Sequence, residues 1–230
     1  MYMILASQSP RRRELLERMG LAHFDVIPAK GEECADPAFT PAQLVEELSR
    51  QKAAEIAASH PDALVIAADT VVSVDGAVLG KPRDRDDAVR MLSLLSGREH
   101  TVYSGLTVCR QGRYVTGHEA TLVRFRPLSH EDISHYVSTG EPMDKAGAYG
   151  IQGYGCTLVE GISGDYYNVM GLPVCRDGLT VPFDEDEALR RFEAPEIIIS
   201  ADLGAGEGSA TIWTCDLTHD YVTINGDYRT

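Results

Sequence analysis

Ala63-Leu64-Val65-Ile66-Ala67-Ala68-Asp69-Thr70-Val71-Val72-Ser73-Val74 is the stretch on which the fold turns. Its first six residues form an unbroken apolar run, rich in Val, Ile and Leu. A run too short for an ordinary helix reads as a strand covered on both faces. Asp69 and Thr70 interrupt it. A carboxylate there is costly unless it is paired, hydrogen-bonded or bound to metal. In open α/β sheets the carboxyl ends of strands are where ligands bind, so Asp69 is expected at such an end, close to a site. A turn-capping Asp is the plain alternative, and the cations elsewhere in the chain argue against it.

Working outward, Lys52 is the first of those cations. Thr40-Pro41-Ala42-Gln43 is a capping box with Pro at the first helical position, and the helix is expected to reach about Ser59. On a helical wheel Leu44, Val45, Leu48 and Ile56 cover an arc of about 120°, and Lys52 falls inside it. A lysine stem can snorkel along apolar surface. One aimed at the core side wants an anion, and Asp69 or a phosphate would serve. On the other flank, Asp75-Gly76 is a hairpin turn. Ala77-Val78-Leu79 then leads to Gly80-Lys81-Pro82-Arg83, which returns a lysine towards Asp69.

The amino end carries a third anomaly. Met1 to Ala6 reads as a short strand. Ser9 is a good N-cap and Pro10 suits the first helical position; Leu15, Leu16 and Met19 give an apolar face, and Gly20 is the stop. Arg11, Arg12 and Arg13 fill the first turn, where partial positive charge disfavours cations by about 1 kcal/mol at most. An anion on the free N–H groups would reverse that sign, so Ser7-Gln8-Ser9-Pro10-Arg11-Arg12 reads as a phosphate-binding turn. A strand is expected near Phe24 to Pro28. Glu32-Glu33 follows in a polar loop, where a solvated pair is the plain reading.

Further along, Asp84 or Asp86 starts a helix bearing Ala88, Met91, Leu92 and Leu95, which ends at Gly97. His100 to Arg110 and Arg113 to Pro127 read as strands joined at Gln111-Gly112. Ser129-His130-Glu131-Asp132 caps a helix with Ile133, Tyr136 and Val137 inward and Gly140 as stop. The segment from Asp144 to Gly153 is glycine-dense without Walker or Rossmann spacing. Its small residues permit close backbone approach to a ligand, which Lys145, Tyr149 and Gln152 could contact. Thr157 to Ile162, Gly164-Asp165 and Tyr167 to Val174 read as strand-like. The chain has four lysines, Lys30, Lys52, Lys81 and Lys145. Three of them sit at these marked positions.

Composition narrows the classes. A chain of 230 residues with 43% hydrophobic content fits one medium domain, or one domain plus an appendage. No apolar run is long enough to cross a membrane, and the amino end lacks a signal-peptide pattern. A net charge of −14 argues against a broad nucleic-acid or membrane-binding face, so neither partner is expected. An anionic substrate would need a local cluster of cations. Five scattered cysteines without metal spacing suit reduced thiols in a cytoplasmic protein. No HExxH pattern occurs, and His130 and His135 read as solvated.

Taken together, Ser7-x-Ser9-Pro10-Arg11-Arg12, Glu33, Lys52, Ala68-Asp69-Thr70, Lys81-Pro82, Asp144 to Gly153 and Gly171-Leu172-Pro173 resemble the Maf family, over about residues 1–175. These are nucleoside triphosphate pyrophosphatases related in fold to the inosine triphosphate pyrophosphatases. The fold implied is α/β, a mixed sheet flanked by helices. Ile151-Gln152-Gly153 is similar to the dTTP/UTP branch and unlike the 7-methyl-GTP branch. The resemblance implies hydrolysis of the α–β phosphoanhydride to a nucleoside monophosphate and pyrophosphate. Asp69 would be general base, and Mg²⁺ or Mn²⁺ would be held with help from Glu33. Ser7, Arg11, Arg12, Lys52 and Lys81 would hold phosphate oxygens. Arg11, Thr70 and Gln152 match the positions that set base specificity, and Lys145 is a further substrate contact. A homodimer stays open as the assembly. An alternative from another class is a nucleotide-binding regulator of septum formation with little turnover.

The pattern changes after Gly171-Leu172-Pro173. Residues 176–230 resemble the carboxyl end of the ornithine acetyltransferases (glutamate N-acetyltransferases). Phe183 to Leu189, Pro195-Glu196-Ile197, Asp202-Leu203-Gly204, Cys215-Asp216-Leu217 and Ile224 to Thr230 carry the likeness. The nucleophilic threonine segment and most of that family's fold are missing, so transferase activity is not expected. The division implied is a Maf-like domain over 1–175 and an appendage over 176–230. The appendage reads as a helix near Asp184–Phe192, strands at Ile197–Leu203 and Ala210–Cys215, and a Gly-rich turn between them.

Overall fold

The computed structural model describes residues 2–21 and 23–173, with the backbone of Cys175–Arg176 and Leu179–Thr180 beyond them. All of these lie in the first of two compact units, Met1–Pro182. The second unit, Phe183–Thr230, lies outside the described residues, and so do the helix and strands expected in the appendage.

The decisive stretch is strand β3 (Leu64–Val74), the third of a mixed sheet. β1 (Met3–Leu5) runs parallel to it on one side and carries β2 (Asp25–Val26) at the sheet edge. On the other side a meander of long antiparallel strands follows: β5 (Glu99–Arg110), β6 (Arg113–Phe125) and β7 (Val159–Ser163). β4 (Ala77–Leu79) folds back on the end of β3. Both hairpin turns fall where expected. Asp75-Gly76 and Gln111-Gly112 have φ of 49° and 78°, and 49° and 75°. That pattern gives two-residue turns whose twist matches the strands.

Period two explains the apolar run. Val65 and Ala67 face one layer, where they meet Ile4, Ala53 and Ile56. Ile66 and Ala68 face the other, with Leu5, Leu15, Leu16 and Met170. The first layer is helix α2 (Pro41–Ser59), which starts at the Thr40 capping box and ends at the expected residue. The second is built by α1 (Pro10–Arg18), capped by Ser9, and by α5 (Tyr166–Met170). A third cluster holds Val72 and Val74 against α3 (Arg85–Leu95), capped by Asp84, and α4 (His130–Ser138), capped by Ser129. Covering both faces of β3 stabilises each large aliphatic side chain by about 1.5–3 kcal/mol.

Two expectations fail. Asp69 is not at the end of its strand; β3 continues for five residues beyond it. The second concerns the strand-like reading after Asp165: Tyr166–Met170 is a short helix, capped by Asp165 and stopped by Gly171 at φ 107°. Two tyrosines and a valine suit a strand, but the cap and stop at either end close a helical turn instead. The remaining strand pieces, β8 (Cys175–Arg176) and β9 (Leu179–Thr180), pair with each other.

Candidate active site

β1 pairs with β3 only at Leu64 to Ile66, and β4 only at Val72 to Val74. Between them, residues 67–71 pair with β5 alone. The gap leaves one edge of β3 open at Asp69 and Thr70. The chain leaving β1 passes this gap as the Ser7–Ser9 turn before entering α1. Asp69 therefore lies within its own strand, just past Ile66, where pairing with the shorter neighbour β1 stops.

The Lys52 ammonium, in the carboxyl-terminal half of α2, meets Asp69 Oδ1 directly and Glu33 Oε1 at 2.8 Å. A row of carboxylate, ammonium and carboxylate results. The Glu33 side chain is half exposed, whereas those of Lys52 and Asp69 are mostly covered. Arg12 lies on the other side. Its Nε donates to Gly171 O at 2.6 Å, Nη1 to Ser7 Oγ at 3.1 Å and Nη2 to Thr70 Oγ1 at 3.0 Å. Burial lowers the guanidinium pKa, a pull that Asp69's charge opposes. So three of the five N–H groups of this arginine are used inside the protein.

Arg11 faces the glycine-rich segment. Its Nη1 lies 3.6 Å from Asp144 Oδ2, and Lys145 Nζ reaches Asp144 Oδ1 at 2.6 Å. Burial alone would raise the Asp144 pKa, but the Lys145 hydrogen bond and the two cations outweigh it, and the net shift is downward. The segment itself is a chain of tight turns. Gly147 has φ 67°, donates to Gly80 O at 3.0 Å, and a Cβ there would sit 2.7 Å from Val72 Cγ2. Only glycine meets both demands. That bond ties the segment to the Gly80-Lys81 turn.

One cleft of about 900 Å³ joins these parts. Ser7, Arg11, Arg12, Glu33, Lys52, Asp69, Thr70, Lys81, Lys145 and Gln152 all line it. These are the residues singled out in the sequence. Lys81 is exposed and makes no ion pair among the described residues, and the Gln152 side chain makes no hydrogen bond among them. Lys30 stands apart, its backbone N–H on Glu55. Tyr149 differs from expectation. Its hydroxyl lies 2.7 Å from His100 Nε2, under T-shaped contacts with His100 and Phe125, and burial raises its pKa. It supports the segment from below rather than contacting a ligand through its hydroxyl.

Sequence reading missed Glu141, Ser104 and Asn168. Glu141 Oε1 accepts from Tyr136 Oη at 2.9 Å and from the Gly155 N–H at 3.0 Å, and Oε2 accepts from the Tyr154 N–H at 2.9 Å. It pins the stretch that carries Gln152. The only sequence signal was an acidic residue just past the Gly140 stop. Among the described residues no group of three His, Cys, Asp or Glu side chains could hold a metal. Asp69 and Glu33 form a pair, and Mg²⁺ ordinarily takes one or two carboxylates with phosphate oxygens completing its shell. The pair fits a hard cation arriving with a polyphosphate, not one caged by protein alone.

Fold and cleft together define an α/β protein whose site gathers scarce cations around a carboxylate at a gap in a mixed sheet. Residues 2–177 match the model of the Maf-like protein family. The chain belongs to that family. It is 53% identical over 174 residues to a dTTP/UTP pyrophosphatase of Symbiobacterium thermophilum, covering 76% of this chain and 89% of that protein. It is likewise 53% identical over 174 residues to a dTTP/UTP pyrophosphatase of Moorella thermoacetica, covering 75% and 89%. A solved nucleoside-triphosphatase / dITP/XTP pyrophosphatase from Mycobacterium abscessus overlaps 83% of this chain and 94% of its own at a TM-score of 0.42 and 15% identity, too slight a likeness to argue from. Residues 148–230 also match the ArgJ family model, a span that takes in the 176–230 stretch resembling ornithine acetyltransferases and overlaps the Maf-like match over 148–177.

Proposed function

We propose that this protein hydrolyses dTTP and UTP, and modified pyrimidine triphosphates of the same shape, between the α- and β-phosphorus. The products are a nucleoside monophosphate and pyrophosphate. The observation that carries this reading is the Glu33–Lys52–Asp69 row opening into a cleft that also collects Arg11, Arg12, Lys81 and Lys145 in a protein of net charge −14. The names of the curated relatives supply the nucleotide.

In this mechanism Asp69 takes a proton from water as the water oxygen bonds to the α-phosphorus and the α–β bridge breaks. Lys52 holds the carboxylate in place and offsets charge growing on the phosphate oxygens. Lys81, exposed and without an ion pair among the described residues, reaches the outer phosphates; Ser7, Arg11 and the two N–H groups of Arg12 that bond nothing among the described residues take others. Mg²⁺ or Mn²⁺, held by Asp69 and Glu33, would neutralise the triphosphate as a Lewis acid. Gln152 offers an amide with both donor and acceptor to a pyrimidine edge, and Thr70 and Lys145 complete the substrate contacts.

We divide the chain into a catalytic domain over 1–175 and a tail over 176–230 without activity of its own. We place the protein in the cytoplasm, which the free thiols of Cys34, Cys109 and Cys156 suit. Among the described residues no helix is long and apolar enough to cross a membrane. A regulator that only binds nucleotide would not need the Lys52–Asp69 pair, so the enzyme reading is preferred. Pyrophosphate release from a panel of triphosphates, with Mg²⁺ and with EDTA, tests it. Release of orthophosphate, or no release from any pyrimidine triphosphate, would count against it.

A further inference from the structure

Thr70 and Ser104 face each other across β3 and β5. Their hydroxyls are 2.7 Å apart, so one donates to the other. Ser104 Oγ also lies 2.9 Å from the backbone carbonyl of Asn168, and a carbonyl can only accept. A serine hydroxyl has one proton. It goes to Asn168 O, and the proton between the two hydroxyls must therefore belong to Thr70. Asn168 is itself held: its side-chain amide donates to Val102 O and to Thr121 Oγ1, each at 3.0 Å. Ser104 and Asn168 are fully buried, so no water competes for these groups. Arg12 Nη2 then takes one lone pair of Thr70 Oγ1. What Thr70 offers the cleft is its other lone pair and no proton.

Ser7 is set the opposite way by the same arginine. Its Oγ accepts from the Ser9 N–H at 3.2 Å and from Arg12 Nη1 at 3.1 Å. Both lone pairs are used and the proton is left. Ser7 suits an anionic oxygen, whereas Thr70 repels one.

We infer that Ser104 is a positioning residue that locks the Thr70 hydroxyl as an acceptor-only contact, so that the bound nucleotide must present a hydrogen-bond donor to it. On a nucleoside triphosphate the donors are base N–H and sugar O–H groups. A ring imide N–H, as in uracil and thymine, is the donor assigned here; cytosine carries a lone pair at the same ring position and meets Thr70 lone pair to lone pair. This deepens the pyrimidine triphosphate reading and rests on it. Pocket shape alone separates uracil from cytosine poorly, because the two rings are nearly the same size. A fixed hydroxyl separates them by charge sign at one atom.

Binding measured by calorimetry with analogues whose α–β bridge is an uncleavable imido group keeps the test apart from turnover. The wild-type protein should bind the N3-methyluridine analogue and the cytidine analogue at least tenfold more weakly than the uridine analogue. It should bind the 2′,3′-dideoxythymidine analogue about as well as the thymidine analogue. In Ser104→Ala, checked for folding by thermal melting, the Thr70 proton is free to turn. The uridine-to-cytidine affinity ratio should then shrink about tenfold, where a purely structural loss would weaken both alike. Equal wild-type affinity for the uridine and N3-methyluridine analogues overturns the inference, as does loss confined to the dideoxy analogue or an unchanged ratio in folded Ser104→Ala. Absent turnover of UTP would overturn the enzyme reading, while the affinities would still judge this one.

Discussion

Replacing Asp69 by Asn keeps the shape of the side chain and removes its capacity to take a proton. Lys52 retains Glu33 as a partner at 2.8 Å, so the row does not collapse. We expect kcat to fall by on the order of 10²–10⁴-fold with nucleotide affinity changed little, read from steady-state kinetics beside calorimetric binding. Equal losses in both would remove Asp69 from the role of base. Gln152→Ala should act the other way, blunting discrimination between pyrimidine and purine triphosphates more than it slows the preferred reaction; unchanged selectivity would refute that role. The residue scale is also where sequence legibility was sharpest and where it stopped. Asp69 and Lys52 stood out because a charge in an apolar setting needs a partner, and each proved to be the other's. Ser104 gave no signal. A serine inside an alternating strand looks like any other, and its importance lies in which way one proton points.

Two elements carry the cleft, and each can be tested without changing the Glu33–Lys52–Asp69 row. Gly105 on β5 lets α2 lie close: a Cβ there would sit 2.1 Å from Val45 O, a backbone atom with nowhere to go. Gly105→Ala should cost about 2–3 kcal/mol or more in chemical denaturation by forcing α2 off the sheet. A neutral result would mean that the helix has slack. The turn segment from Glu141 to Gly155 depends on one carboxylate. Glu141→Ala would strip the Tyr154 and Gly155 N–H groups of their acceptor, at about 1–3 kcal/mol for the buried Gly155 group, while the exposed Tyr154 group can turn to water. Because Gln152 rides on this stretch, KM should rise more than kcat falls; an effect on kcat alone would contradict the positioning role. Helix starts at Ser9, Thr40, Asp84 and Ser129 were legible because a cap is local chemistry. The gap opposite Asp69 was not. It depends on how far β1 and β4 extend, and pairing length is decided by neighbours distant in the chain. Tyr166–Met170 misled for a related reason, since five residues satisfy either period and only the cap and the Gly171 stop decide.

At the scale of the molecule, a buried histidine sets an acid limit. Desolvation pushes the His100 pKa from 6.5 down to about 4. Neutral His100 is compatible with the core it shares with Phe125 and Tyr149. As pH falls from 6.5 towards 4 the unfolded chain takes up a proton that the folded one refuses, and about 3 kcal/mol of stability should be lost. Asp87 acts in a lower window: the Arg83 side chain holds its pKa at about 2, so its contribution is present above 3.8 and lost below it. Denaturation midpoints at pH 7 and pH 4.5 should therefore differ markedly in the wild type and much less in His100→Gln; equal slopes would clear His100. The gathering of scarce cations at one place in an acidic protein was readable from four lysines and their neighbours, because opposite charges leave a compositional trace. The measurement that bears most directly on the account is the product released from UTP with Mg²⁺ by the wild type and by Asp69→Asn. It predicts UMP and pyrophosphate from the first and almost nothing from the second, with both proteins binding nucleotide; orthophosphate as product, or undiminished turnover by Asp69→Asn, would contradict it.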